Sequence, residues 1–151
     1  MASRRALLGI FLFAPAAAAQ SPLGGSAPLP PLPPLPPVPL ATGVTVAGPG
    51  NWRVDFAPDS DALDAGPAAA IGRLGAVLAA GSVGRVTLIA LASAGDDIST
   101  HRRLALGRAL RVKAALIAGG LPENRIDIRA LGRTEVARDS VDILAPTAPR
   151  P

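Results

Sequence analysis

Residues 101–116 read HRRLALGRALRVKAAL, with five cations and no acid threaded through apolar positions. Arginines at this density offer one chemistry above others, the holding of anions, because the planar guanidinium matches a carboxylate or phosphate with two parallel hydrogen bonds. His101 is the single histidine of the chain and stands beside Arg102 and Arg103. Asp96 and Asp97 follow Gly95 a few positions earlier, and adjacent acids there read as a solvated loop or as a negative bias at a helix start. There is no cysteine and no tyrosine, and no H-E-x-x-H, phosphate-loop, G-x-S-x-G or G-x-G-x-x-G motif. A catalytic set can be drawn only around His101, which its neighbouring arginines crowd. The inventory points away from an enzyme, a metal site or a bound cofactor, and towards non-catalytic binding.

Helical geometry sorts these charges. At 100° per residue, Ala105, Ala109, Val112 and Leu116 share one arc, and Leu106, Leu110 and Ile117 form a second beside it. Together they predict a wide buried face, with Lys113 in its middle reaching out to solvent on a long stem. Arg108 falls on the edge of that face. His101, seven residues earlier, points within about 20° of Arg108 and lies roughly 10.5 Å away along the axis. Arg103 and Arg111 lie further round, as the solvated side of an ordinary core helix would. A guanidinium at the border of an apolar face is different, because it calls for a specific anionic partner.

The elements that must position this helix follow from pattern. Asn51–Phe56 alternates, with Trp52, Val54 and Phe56 on one side of a strand. Pro58-Asp59-Ser60-Asp61 breaks it and offers helix caps; Leu63, Ile71, Leu74 and Leu78 then recur at helical spacing as far as Gly81. Arg85–Leu91 is a nearly continuous apolar run, as in a central strand. Ala94–Asp97 is a loop, Ser99 or Thr100 caps the basic helix, and Gly119-Gly120 with Pro122 stops it. Arg125–Leu131 alternates again, and Val141–Leu144 is a last short strand. The order is β-α-β-α-β-β, an α/β (α+β) class with helices packed on a sheet.

The ends carry other signals. Residues 1–19 have a basic start at Arg4 and Arg5, an apolar run from Ala6 to Phe13, and the small residues Ala17-Ala18-Ala19 before Gln20. That is the layout of a secretory signal peptide. An uncleaved anchor is the other reading, although the run is short of the roughly 20 residues that a membrane span needs. Ser3-Arg4-Arg5 is loosely twin-arginine-like and equally compatible with general export. The whole chain carries a formal +4, and loss of Arg4 and Arg5 leaves thirteen basic against eleven acidic residues, or +2. That modest charge, with 3% aromatic residues, argues against nucleic acid, whose single-strand readers rely on stacking rings.

Residues 20–43 form a proline-rich linker, in which 28–40 hold eight prolines in thirteen positions. Polyproline II rises about 3.1 Å per residue, so this run reaches about 40 Å. Its three-residue period sets Leu29, Leu32, Leu35 and Val38 in one stripe. The stripe belongs either to a semi-rigid spacer or to a docking strip for an envelope protein. Nothing between the signal and Gly43 provides strands for a transmembrane barrel. Residues 44–145 are the folded domain, and 146–151 a disordered tail.

The stretch Trp52–Phe56, the strand ending at Ser93, and then His101-x-x-Leu104-Ala105-x-x-Arg108-Ala109-x-x-Val112 resemble the OmpA-like C-terminal domain. Gly120-Leu121-Pro122-x-x-Arg125-Ile126 and Ala130-Leu131-Gly132 continue the likeness, over about 100 residues from Gly43 to Ala145. The resemblance implies a two-layer sandwich of two helices on a mixed sheet, and non-catalytic binding of peptidoglycan in the periplasm or outer envelope. It further implies that the family's helix arginine, which grips the diaminopimelate of the stem peptide, is Arg108. The family's loop aspartate falls on Ser93, its asparagine on His101 and a loop glycine on Asp96, so this is a divergent member lacking the acid. A serine offers a neutral hydrogen bond of about 0.5–1.5 kcal/mol where a charged one gives about 1.5–3. Asp96 or Asp97 would substitute only if the loop were rearranged. The expected site is therefore Arg108, Ser93, His101, Asp96 and Asp97, with weakened ligand binding. The alternative is a protein–protein adaptor that has lost the wall.

Overall fold

Trp52, Val54 and Phe56 are buried while Asp55 is exposed, and the computed structural model, which describes residues 34–93, 96–146 and 148, shows what covers them. The elements are β1 (Val44–Gly48), β2 (Asn51–Asp55), α1 (Ala65–Gly81), β3 (Val86–Leu91), α2 (Ile98–Ala118), β4 (Ile126–Gly132) and β5 (Ser140–Leu144). A 3-10 turn at Glu123–Arg125 leads into β4. The five strands form one mixed sheet in the order β1-β2-β5-β3-β4. Every neighbouring pair is antiparallel except β3 and β4, whose parallel pairing requires the crossover that α2 supplies. Both helices pack on the sheet, and Ile71, Leu74, Leu78, Val112 and Leu116 join Val54, Leu88, Val141 and Ile143 in a single core.

Four expectations change. First, β1 was not anticipated, so the order is ββαβαββ. Only Val44 of its five residues is fully buried, which leaves no alternation for sequence to reveal. Second, α1 begins at Ala65, not after Asp59–Asp61; Leu63 precedes it, and Ser60 Oγ accepts from Ala62 N at 3.1 Å in the loop. Third, the cap of α2 is Asp97, whose carboxylate accepts from the amides of Ser99 and Thr100 at 3.2 and 2.9 Å. Fourth, the buried face of α2 is narrower than expected. Ala105, Arg108, Ala109, Val112 and Leu116 are buried, but Leu106, Leu110 and Ile117 are exposed. Lys113 is half-buried and reaches Glu123 Oε1 at 2.7 Å.

The two helices approach to backbone contact. A Cβ at Gly75 would run into the Leu116 carbonyl, and one at Gly119 into the Gly72 carbonyl. On its outer side, the alanine-rich α1 is covered by the end of the proline-rich segment. Leu35 lies beside Gly81, the Pro39 carbonyl accepts from Arg73 Nη2 at 3.2 Å, and Ala41 lies beside Gly66. The segment therefore runs antiparallel to α1. Of the predicted stripe, Leu35 and Val38 pack against the core while Pro36 and Pro37 between them are exposed. This is the three-residue period of polyproline II used within the molecule. Leu29, Leu32, the signal-like residues 1–19, Ala94, Gly95 and most of the 146–151 tail lie outside the described residues. Among the described residues no helix is long and apolar enough to cross a membrane.

Candidate functional site

Strand direction brings three loops to one end of the sheet. β2 and β3 are both antiparallel to β5, so their C-terminal ends meet the start of β5 there. Arg108 on α2 reaches into this end and has no exposed surface. Its Nε donates to Ser60 O at 2.8 Å, Nη2 to Ala57 O at 2.8 Å, and Nη1 to Leu91 O at 2.9 Å and to Asp139 Oδ1 at 2.7 Å. The guanidinium carbon also lies 5.4 Å from the centre of the Phe56 ring, as in a cation–π contact. One side chain thus ties the loop after β2, the end of β3 and the approach to β5 to α2. The anionic partner expected of Arg108 is internal, and it is Asp139.

Asp139 is held from a second side. Ser93 donates its amide to Oδ1 at 3.1 Å and its hydroxyl to Oδ2. The side chain of Asp139 keeps 13% exposure where Arg108 keeps none. Burial is the largest influence on the Asp139 carboxyl and pushes its pKa up. The hydroxyl and amide of Ser93 and the Arg108 guanidinium together outweigh it, so the net pKa lies below the ordinary carboxylate value.

Ser93 and Arg108 are therefore brought together, with Asp139 as the bridge. His101 is buried at 1% exposure in the first turns of α2, where Gly132 packs on it. Gly132 has φ +71, and a Cβ there would sit 3.2 Å from His101 Cβ and 3.1 Å from Arg102 N, so a glycine suits the close approach. Asp97 does not turn towards Arg108, since both of its oxygens cap α2. Asp96 is exposed on the bend before the helix. Asp139 was missed from the expected set, because it stands in the irregular approach to β5, where no periodicity marks a residue as facing inward. Among the described residues no group of three or more histidines and acids could hold a metal ion.

The sequence pattern of the OmpA family matches residues 55–145. The chain belongs to the OmpA family. Its fold is that of the OmpA-like domain of FopA1 from Francisella tularensis subsp. tularensis SCHU S4. The two share 20% identity, the match covers 66% of this chain and 75% of that one, and the TM-score is 0.52. No curated protein matches the chain as a relative. Within the matched range, the acid that pairs with Arg108 is Asp139, in the loop before β5.

Proposed function

We propose that this OmpA-family module is exported, lies in the periplasm against the cell wall or outer membrane, and contacts the stem peptide of peptidoglycan weakly. The family is generally associated with peptidoglycan and is generally non-enzymatic. Weak contact follows from Arg108, which has no exposed surface and whose guanidinium is engaged by three carbonyls and Asp139. A ligand carboxylate would have to displace Asp139 to reach it. What the cluster still offers is the partly exposed carboxylate of Asp139, which can attract the ammonium of a diaminopimelate. A charged hydrogen bond from that acid contributes about 1.5–3 kcal/mol, reduced here by the cation it already serves.

Co-sedimentation with purified peptidoglycan tests this reading. Wild type is expected to be retained in low salt, and Asp139→Asn less so. The exchange Ser93→Asp with Asp139→Asn returns the acid to the family's position and should raise retention above wild type. If wild type stays in the supernatant at every salt concentration and pH, wall contact is lost as a function. The internally satisfied Arg108 then favours the adaptor reading, in which the fold serves as a scaffold for an envelope protein. Crosslinking in cells would show that partner unaffected by wall digestion.

A further inference from the structure

The outer side of α2 has no role in the Arg108 cluster, and its composition is unusual. Leu106, Leu110 and Ile117 are exposed by 42%, 48% and 37%. Their helical angles fall within about 40° of one another, along about 16 Å of axis. The cations of α2 divide cleanly. Arg108 pairs with Asp139, Lys113 with Glu123, and Arg111 lies 3.8 Å from Asp61. Arg102 and Arg103 are exposed and form no ion pair within 4 Å among the described residues; Arg103 donates to Thr100 Oγ1 at 3.2 Å and acts through space on the Asp97 carboxylate that caps the helix. Both stand near the N-terminus of α2, the positive end of the helix dipole, where a cation is disfavoured. Contact with the Asp97 cap offsets this for Arg103, whereas helix stability does not account for Arg102.

We propose that this face of α2 docks on an anionic phospholipid surface. Three aliphatic side chains in a narrow stripe, beside the exposed Arg102 and Arg103, suit shallow seating at the headgroup boundary with the cations among the phosphates. A second copy of the chain is a poorer occupant. It would bring Arg102 and Arg103 against another cationic helix whose neighbouring acids, Asp61 and Glu123, already face Arg111 and Lys113.

Because residues 6–13 are themselves apolar, the test needs a local reporter, and the absence of cysteine makes one simple. The full chain carrying Leu110→Cys is labelled with an environment-sensitive dye. Val83→Cys, at a site 78% exposed in the turn between α1 and β3, is the matched control. Vesicles containing phosphatidylglycerol should blue-shift the dye at 110 and not at 83, while pure phosphatidylcholine vesicles should leave both unchanged. Arg102→Gln with Arg103→Gln should weaken the binding curve about 25-fold, at about 1 kcal/mol per cation near an anionic surface. No shift at 110, an equal shift at 83, or an unchanged curve in the double arginine variant each overturns the proposal. A shift that grows with protein concentration without vesicles assigns the face to a second copy and overturns it too.

Discussion

Arg108 and Asp139 form an ion pair of 2.7 Å in which the arginine side chain has no exposure and the aspartate only 13%. The pair is asymmetric in its consequences. Arg108 stays charged wherever it is, so loss of Asp139 strands a buried cation, and removing one member of a buried pair costs about 3–5 kcal/mol. Asp139→Ala should therefore be strongly destabilised in chemical denaturation. Asp139→Asn keeps an acceptor for Nη1 and a partner for Ser93, and should lose visibly less. Equal losses in the two variants would mean that the charge of Asp139 does not matter to the fold.

The same carboxylate makes stability respond to acid. Its pKa is lower in the folded chain than in the unfolded one, because Ser93 and Arg108 outweigh burial. The unfolded state therefore binds the proton more readily, and stability rises with pH across that interval. The contribution is complete above the unfolded value of about 3.9 and is lost as pH falls through the folded one. Asp97 and Glu123 are also shifted down, by the Thr100 and Ser99 cap and by Lys113 respectively, but they are common to wild type and Asp139→Asn. Melting curves of the two proteins should thus converge as pH drops below about 4. A constant gap down to acid would assign the difference to something other than this proton.

The strands and helices that carry the cluster were legible because burial repeats along them. Trp52, Val54 and Phe56 alternate, and Ala105, Ala109, Val112 and Leu116 recur at helical spacing. Arg108 was legible as a residue needing an anion, because a guanidinium on an apolar border cannot be left unpaired. The identity of that anion was not. Asp139 lies 31 positions from Arg108 and 46 from Ser93, in an irregular approach to β5 where no period marks what faces inward. Only the meeting of loops at one sheet end joins the three. The exposure of Leu106, Leu110 and Ile117 was hidden for a related reason. Periodicity measures which residues share a face, not whether a neighbouring element covers it, and α1 and the sheet cover only part of α2.

Backbone contact between the helices gives a sharp contrast between two glycines of α1. Glycine within a helix costs about 1 kcal/mol relative to alanine. At Gly66 an added Cβ meets only Ala41 Cβ at 3.9 Å, so Gly66→Ala should stabilise by about 0.5–1 kcal/mol. At Gly75 the Cβ would strike the Leu116 carbonyl, and a helix backbone cannot yield as a flexible side chain does. Overpacking of this kind costs about 1–3 kcal/mol, which outweighs the propensity gain. Thermal melts should rise for the first variant and fall for the second; a rise in both would mean that α1 and α2 can separate at no cost.

The covering of α1 by the proline-rich segment predicts that part of this apparent linker belongs to the cooperative fold. α1 carries only Arg73 as a charged residue, and a helix apolar on more than one side needs burial on more than one side. Leu35 and Val38 supply it from beside β1 and β2, where they line a pocket with Val46 and Trp52. Full burial of such a side chain contributes about 1.5–3 kcal/mol, and half-burial a corresponding fraction. Leu35→Ser with Val38→Ser should therefore lose about 1–2 kcal/mol, which lowers the melting temperature by about 4–8 °C for each kcal/mol in a domain of this size. Leu40→Ser, at a site already 38% exposed, is the control and should change little. Hydrogen exchange adds a local reading, because loosening the segment should speed exchange in α1 more than in α2. If the double variant melts like wild type, Leu35 and Val38 rest on α1 without stabilising it, and the fold begins at β1.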